Sequence, residues 1–392
     1  MTTLLQCIFD LQQWNELRRR ITRRAMQSLF HASDARLMPM TCLSDTDVHH
    51  ILICRPNHRL GNLLLLTPLL TEIQQRFPGA DVDIVLAGAH GPELFKTFSN
   101  VKHIYCLSRR MVRHPIAVVR TALRIRKAHY DLAIDPCEAS QSGRLLVAVA
   151  GAKYAIGLPR DRTMVGLDGT CNSMADTPHH MAQWPVYLLR RALVRRWPES
   201  GNDFPALDIR LSSSERARAR AILERMTHEG MPPTPFVIGV FAEATGAKGY
   251  SKEWWQCFVH IVHEQHPDAT LVEIAPADGQ PRFGNEVPFF SSPSPREVAA
   301  VISNMTCFVS ADCGVMHLAS AAGTPTIGLF SVTDASKYAP YAHGSRALDT
   351  NGKSPEDVAQ EASMLITTFR AGIPVGPCGR SCGDRHDDEG AR

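Results

Sequence analysis

The stretch Ser310-Ala311-Asp312-Cys313-Gly314-Val315-Met316-His317-Leu318-Ala319-Ser320-Ala321-Ala322-Gly323-Thr324-Pro325-Thr326 decides how this chain is read. The apolar run Cys307 to Ser310 has the length and composition of a buried strand. Gly314 to Ala322 reads as a helix and Thr326 to Phe330 as a second strand. A helix that starts within four residues of a strand offers free backbone N–H groups and a positive dipole end, a place for phosphate oxygens. Gly314 lets the backbone come close to such a group. His317, one turn in, points the same way, and Asp312 can accept hydrogen bonds from hydroxyls at the helix mouth. Taken singly, Asp312 reads as a helix cap and His317 as a core histidine; together with Gly314 in one crossover they read as a site.

Outward from this crossover the pattern repeats. Phe236 to Phe241 reads as a strand, followed by a loop through Lys248 and a helix around Trp254 to Gln265. Thr270 to Ile274 is a strand and Pro295 to Ser303 a helix. The first half starts its own series: strand Val48 to Cys54, a loop through Gly61, and a helix from Asn62 to about Arg76 that Pro68 should kink. Strands follow at Val82 to Ala87, His103 to Leu107, Leu132 to Ile134 and Tyr154 to Gly157. A helix from Pro115 to Ala128 lies among them, and another runs from about His179 to Arg196. Two strand–helix series, each starting afresh, predict two doubly wound α/β domains facing each other across a cleft, with ligands at the carboxyl ends of the strands. The expected boundaries are 46–205 for the first domain and 206–345 for the second. Residues 346–392 form a last helix and a tail rich in Gly, Arg and Asp.

Residues 1–45 stand apart. Leu4, Ile8, Leu11, Trp14, Leu17, Ile21 and Ala25 make one apolar helical stripe, and Arg18, Arg19, Arg20, Arg23 and Arg24 crowd its second half. Such a helix suits the surface of an anionic leaflet; the alternative is docking on the protein itself.

At 392 residues the chain is long enough for two cores, and 44% hydrophobic with 21% charged residues is a globular composition. A net charge of +3 gives no support for a nucleic-acid partner. Eleven scattered cysteines, with no secretory signal and no apolar run long enough to span a bilayer, predict reduced thiols in the cytoplasm. Cys378 and Cys382 form an isolated CxxxC, read as incidental, so no metal is expected.

The Asp312 segment resembles the D-[ST]-G-x-x-H-[LI]-A-x-A-x-G-x-P signature of glycosyltransferase family 9, the heptosyltransferases of lipopolysaccharide assembly. Cys313 stands where the family has Thr or Ser. Gly61 to Leu70 resembles the G-D-x-[LV]-x-x-[TS]-P opening, with the trailing F-P-x-A at Phe77 to Ala80. Ala244 to Ser251 looks like the family's Thr-rich loop. The likeness covers about residues 48 to 341. It implies a GT-B fold and inverting, metal-free transfer with no cofactor beyond a nucleotide-diphosphate sugar. That donor is ADP-heptose in the best-known members, and the acceptor is a lipid A-linked saccharide on the cytoplasmic face of the inner membrane. Carried over, Thr245 and Lys248 neutralise the donor diphosphate, and Asp312, Cys313, Gly314 and His317 hold sugar and phosphates. Arg55, Arg59 and Arg144 are candidates for an acceptor's phosphates.

One position cuts at the chemistry. The family's candidate base is the aspartate of the G-D opening, and here that residue is Asn62, whose amide cannot take a proton. His58, Asp135 and Glu243 are the substitutes, with Asn62 left to orient the acceptor. The competing expectation is a catalytically silent protein that binds a nucleotide sugar or a partner. A nicotinamide dehydrogenase is set aside, because no G-x-G-x-x-G follows the first strand.

Overall fold

His50–Cys54 (β1) forms because Ile51, Leu52, Ile53 and Cys54 are apolar in unbroken succession, and all four are buried. A parallel strand covered on both faces has no polar side to alternate. This computed structural model describes residue 43 and residues 47–108, 115–137, 140–157, 178–193, 203–227, 236–277, 279–284, 287–342 and 344–372. The expected N-terminal helix and Cys378 and Cys382 lie outside the described residues. The chain divides into two units, Met1–Arg210 and Leu211–Arg392.

In the first unit, β1 is followed by two helices, Leu60–Leu64 (α1) and Thr67–Arg76 (α2), not by the single kinked helix that the sequence suggests. Leu65 and Leu66 close the first against the carbonyls of Gly61 and Leu63. Pro68 then falls in the opening turn of α2, where its missing N–H has no partner to lose. Next come Asp81–Ala87 (β2), Gly91–Phe95 (α3), Val101–Leu107 (β3), Pro115–Lys127 (α4) and Leu132–Ile134 (β4). Gln141–Ala150 (α5), Tyr154–Ile156 (β5) and Trp184–Ala192 (α6) complete it. The five strands are parallel in the order β3-β2-β1-β4-β5. Helix α5 has no counterpart among the elements expected from the sequence. Its start is set by Ser140, whose hydroxyl accepts the Gly143 N–H at 2.9 Å. Ile125 of α4 and Val147 and Ala150 of α5 are buried with Leu52, Cys54, Val85 and Tyr130, so these two helices cover one face of the sheet. On α2, Glu72 is fully buried and paired with Arg190 of α6 at 2.7 Å and with Arg76 at 3.1 Å.

The second unit opens on Ser213–Thr227 (α7), a highly charged helix that buries little beyond Ala219 and Leu223. It is fixed by Glu215, which binds the buried Arg296 guanidinium through both carboxylate oxygens at 2.8 Å. The series runs Val237–Phe241 (β6), Lys252–Gln265 (α8), Thr270–Ile274 (β7), Phe289–Phe290 (β8), Pro295–Ile302 (α9) and Cys307–Ala311 (β9). It continues through Gly314–Ala321 (α10), Thr326–Phe330 (β10), Ala335–Tyr338 (α11), Arg346–Asp349 (β11) and Pro355–Arg370 (α12). Six parallel strands stand in the order β11-β10-β9-β6-β7-β8. One core gathers Ile238, Val240, Val309, Ile327 and Leu329 from the sheet with Trp255 and Phe258 of α8 and Ala362 and Ile366 of α12. Helix α10 ends as its sequence directs. Gly323 takes φ +86°, and the N–H groups of Gly323 and Thr324 bond back to Ser320 and Ala319. Among the described residues no helix is long and apolar enough to cross a membrane.

Candidate functional site

In each sheet the strand order reverses beside the unit's first strand, between β1 and β4 and again between β6 and β9. Loops leaving the carboxyl ends of such strands diverge and leave a crevice for ligands. The candidate residues of the sequence gather at these two places.

In the second unit, β6 feeds a loop that carries Glu243, Thr245 and a single 3₁₀ turn, Gly246–Lys248. Across the switch point, β9 delivers Asp312. The Lys248 Nζ lies 2.6 Å from Asp312 Oδ2, with the carboxylate buried and the lysine partly open. The backbone of Asp312 is held by the Leu329 carbonyl at 3.1 Å. Asp312 is therefore not the helix cap. That position belongs to Cys313, in extended conformation, and its side chain closes no capping hydrogen bond. Burial pushes the Cys313 thiol up from its ordinary range, against the Ser310 hydroxyl 3.4 Å away and the Met316 and Val315 N–H groups. The thiol stays protonated at neutral pH. Gly314 is the first residue of α10, and His317 is buried one turn in. Thr245 is exposed on the loop. Glu243 faces Arg282 at 3.4 Å, and Arg282 also donates to the carbonyls of Ala242 at 2.9 Å and Tyr250 at 3.3 Å. Arg282 thus ties down both ends of the lysine loop. Nothing in its local sequence marks it, since the contact is made wholly by the fold.

In the first unit, β1 delivers Arg55 and β4 delivers Asp135. Arg55 Nη2 donates to Asn62 Oδ1 at 3.1 Å, and its Nη1 donates to the Cys137 sulfur. Asp135 is 2% exposed and accepts the Cys137 N–H at 3.1 Å. It lies against the opening turn of α5 so closely that a Cβ at Gly143 would sit 2.6 Å from its Oδ1. Glycine is required there by that approach. Burial pushes the Asp135 carboxyl up to about 7, and the Cys137 backbone and thiol, Arg144 and Arg55 act in the opposite direction. The same burial pushes Cys137 up to about 11. Arg55 Nε and Asp135 Oδ2 are both buried with no hydrogen-bond partner among the described residues. Buried polar atoms are nearly always satisfied, so these two call for a partner, water or ligand.

The fold thus brings together Arg55, Asn62, Asp135 and Arg144, and adds Cys137 and Gly143, which the sequence reading did not single out. His58 and Arg59 are exposed on the preceding loop, where Asn57 Oδ1 accepts the Arg59 N–H at 2.9 Å. No group of three or more His, Cys, Asp or Glu is placed to hold a metal among the described residues.

Residues 294–365, which carry Asp312 to His317, match the model of glycosyltransferase family 9 (heptosyltransferase). No curated protein sequence matches the chain. Among solved structures, a family 9 glycosyl transferase from Veillonella parvula is similar with a TM-score of 0.63 at 15% identity, over 85% of this chain and 99% of that one. The ADP-heptose lipopolysaccharide heptosyltransferase II of E. coli gives 0.60 at 16%, over 82% and 99%. The E. coli heptosyltransferase WaaC with ADP gives 0.58 at 19%, over 82% and 99%. At these identities the likeness shows the fold. The chain has the GT-B architecture of two Rossmann-like domains, and it resembles family 9 in the segment where its second site lies.

Proposed function

We propose that the protein is an inverting, metal-independent glycosyltransferase that moves a sugar from a nucleotide-diphosphate donor, ADP-heptose by preference, onto a saccharide acceptor of the lipopolysaccharide core. The observation that carries this reading is the Lys248–Asp312 pair at the mouth of α10, on the segment that matches family 9. Lysine and a helix N-terminus supply the positive charge that a departing diphosphate requires. Asp312 accepts from sugar hydroxyls and holds the ammonium in place. The protonated Cys313 thiol takes the part of a hydroxyl as a weak donor to phosphate.

On the acceptor side, Asp135 fits the base better than the other candidates. A base works best with a pKa near the working pH, and burial sets that of Asp135 at about 7. Asn62 is an amide engaged by Arg55, Glu243 is paired with Arg282, and His58 is exposed. Asp135 takes the proton of the acceptor hydroxyl as the oxygen attacks the anomeric carbon and the nucleotide diphosphate leaves from the opposite face. Arg55 and Arg144 offer charge for an acceptor phosphate.

Purified protein with ADP-heptose and a truncated lipopolysaccharide acceptor is expected to release ADP well above the buffer rate. Release at the buffer rate, with donor binding intact, would establish instead the silent nucleotide-sugar binder that Asn62 favours. Lys248→Ala is expected to remove most of the thermal stabilisation given by ADP-sugars. An unchanged shift in that variant would take Lys248 out of the donor site.

A further inference from the structure

Helix α4 exposes large apolar side chains in a way that the rest of the described surface does not. Ile116 is 69% exposed, Val119 57% and Leu123 56%, which puts three of the six exposed large hydrophobic residues among the described ones on one thirteen-residue helix. At about 3.6 residues per turn their steps of three and four place them on one outward stripe. The opposite side of the helix is anchored by Ile125, buried against Leu52, Cys54 and Val85. The stripe is therefore not a misplaced core face.

The charges around it have one sign. Arg120, Arg124 and Lys127 flank the stripe, are exposed, and form no ion pair among the described residues. Arg126 is exposed too and lies over Gly151 at the end of α5. No acidic residue occurs anywhere between Glu93 and Asp131, and α5, packed beside α4, contributes Arg144 and no acid. An apolar stripe rimmed by unpaired cations is the signature of a helix that lies in the plane of a membrane interface. A segment of this same chain is a poor cover for it, because the amphipathic stretch within residues 1–42 carries its own arginine cluster at 18–24 and would repel the rim.

We propose that the outer face of α4 docks the protein on an anionic lipid surface, with Ile116, Val119 and Leu123 in the interface and Arg120, Arg124 and Lys127 on the lipid phosphates. This does not rest on the sugar-transfer reading, and a protein without transferase activity would dock in the same way.

The test is co-sedimentation of the full chain with vesicles of phosphatidylcholine, alone or with roughly one-third phosphatidylglycerol. Wild type should pellet with the anionic vesicles, less so as salt is added, and not with the neutral ones. The triple variant Arg120→Gln, Arg124→Gln, Lys127→Gln should weaken partition by on the order of 100-fold. The triple variant Ile116→Ser, Val119→Ser, Leu123→Ser should weaken it comparably, with unchanged melting because all three side chains are exposed. Replacing Arg18, Arg19, Arg20, Arg23 and Arg24 with Gln should have the smaller effect. The proposal fails if wild type ignores anionic vesicles, or if both α4 variants bind as wild type while the N-terminal variant does not. It fails equally if the serine variant turns a dimer into a monomer without altering vesicle uptake, because the face then belongs to a second copy of the chain.

Discussion

Asp135→Asn is expected to slow sugar transfer by about 10²–10⁴-fold, the usual contribution of a positioned general base. The donor-induced thermal shift should stay intact, because the proposed donor groups lie in the other unit. The substitution keeps the shape beside Gly143 and keeps an oxygen for the Cys137 N–H. In wild type the rise of kcat/KM with pH should be centred near 7, where burial sets this carboxyl. The sign for stability follows from the same shift. A carboxyl raised from 3.8 to about 7 binds its proton more tightly folded than unfolded. Its contribution is full below about pH 4, falls as pH rises to 7, and is gone above that. Asn carries no such titration, so the variant should lose less stability than wild type between pH 4 and 7. Loss of turnover with the donor-induced shift and the fold intact separates a base from a structural carboxyl. Unaltered turnover would return the role to His58 or Glu243.

Glu72→Gln should cost the first unit about 3–5 kcal/mol, the usual effect of breaking a buried ion pair from one side. Glu72 is fully buried and binds Arg190 of α6 through Nε at 2.8 Å and Nη2 at 2.7 Å. A neutral amide leaves the two arginines that meet it without their shared carboxylate. In urea, the transition of the first unit should move to lower concentration while that of the second unit does not. Glu224→Gln is the control. Its pair with Arg220 is 3.5 Å long with both side chains largely exposed, and its loss should cost less than about 0.5 kcal/mol.

The second site was legible because its determinants are close together in the chain. Asp312, Cys313, Gly314 and His317 fall in one crossover, and the loop of Lys248 follows an unmistakable strand, Val237–Phe241. The first candidate site was legible in Arg55 and Asp135 at the strand ends and in Asn62 and Arg144, but not in what encloses them. What makes Asp135 unusual is burial against Gly143 of α5, and the contact of a glycine with a carboxylate eight residues earlier leaves no mark in either residue's neighbourhood. Helix α7 was missed because its charged sequence buries only Ala219 and Leu223, too few for an apolar period. Pro68 suggests a kink only if its helix is continuous from Asn62, whereas the chain restarts its helix at Thr67. Edge strand β11, four residues long, offers no alternation to detect.

Because Lys248 is already closed on Asp312, the affinity of the proposed donor site for an anion would be the difference between two attractions, not the strength of one. A singly charged visitor such as chloride gains little by displacing a carboxylate that is tethered 2.6 Å from the ammonium. A diphosphate can approach the lysine and the first turn of α10 together, and its attached sugar gives the released carboxylate hydroxyls to bind. In the proposed donor site the exchange would reward a ligand that brings phosphate and hydroxyl at once, and the pair would act as a filter against the abundant small anions of a cell.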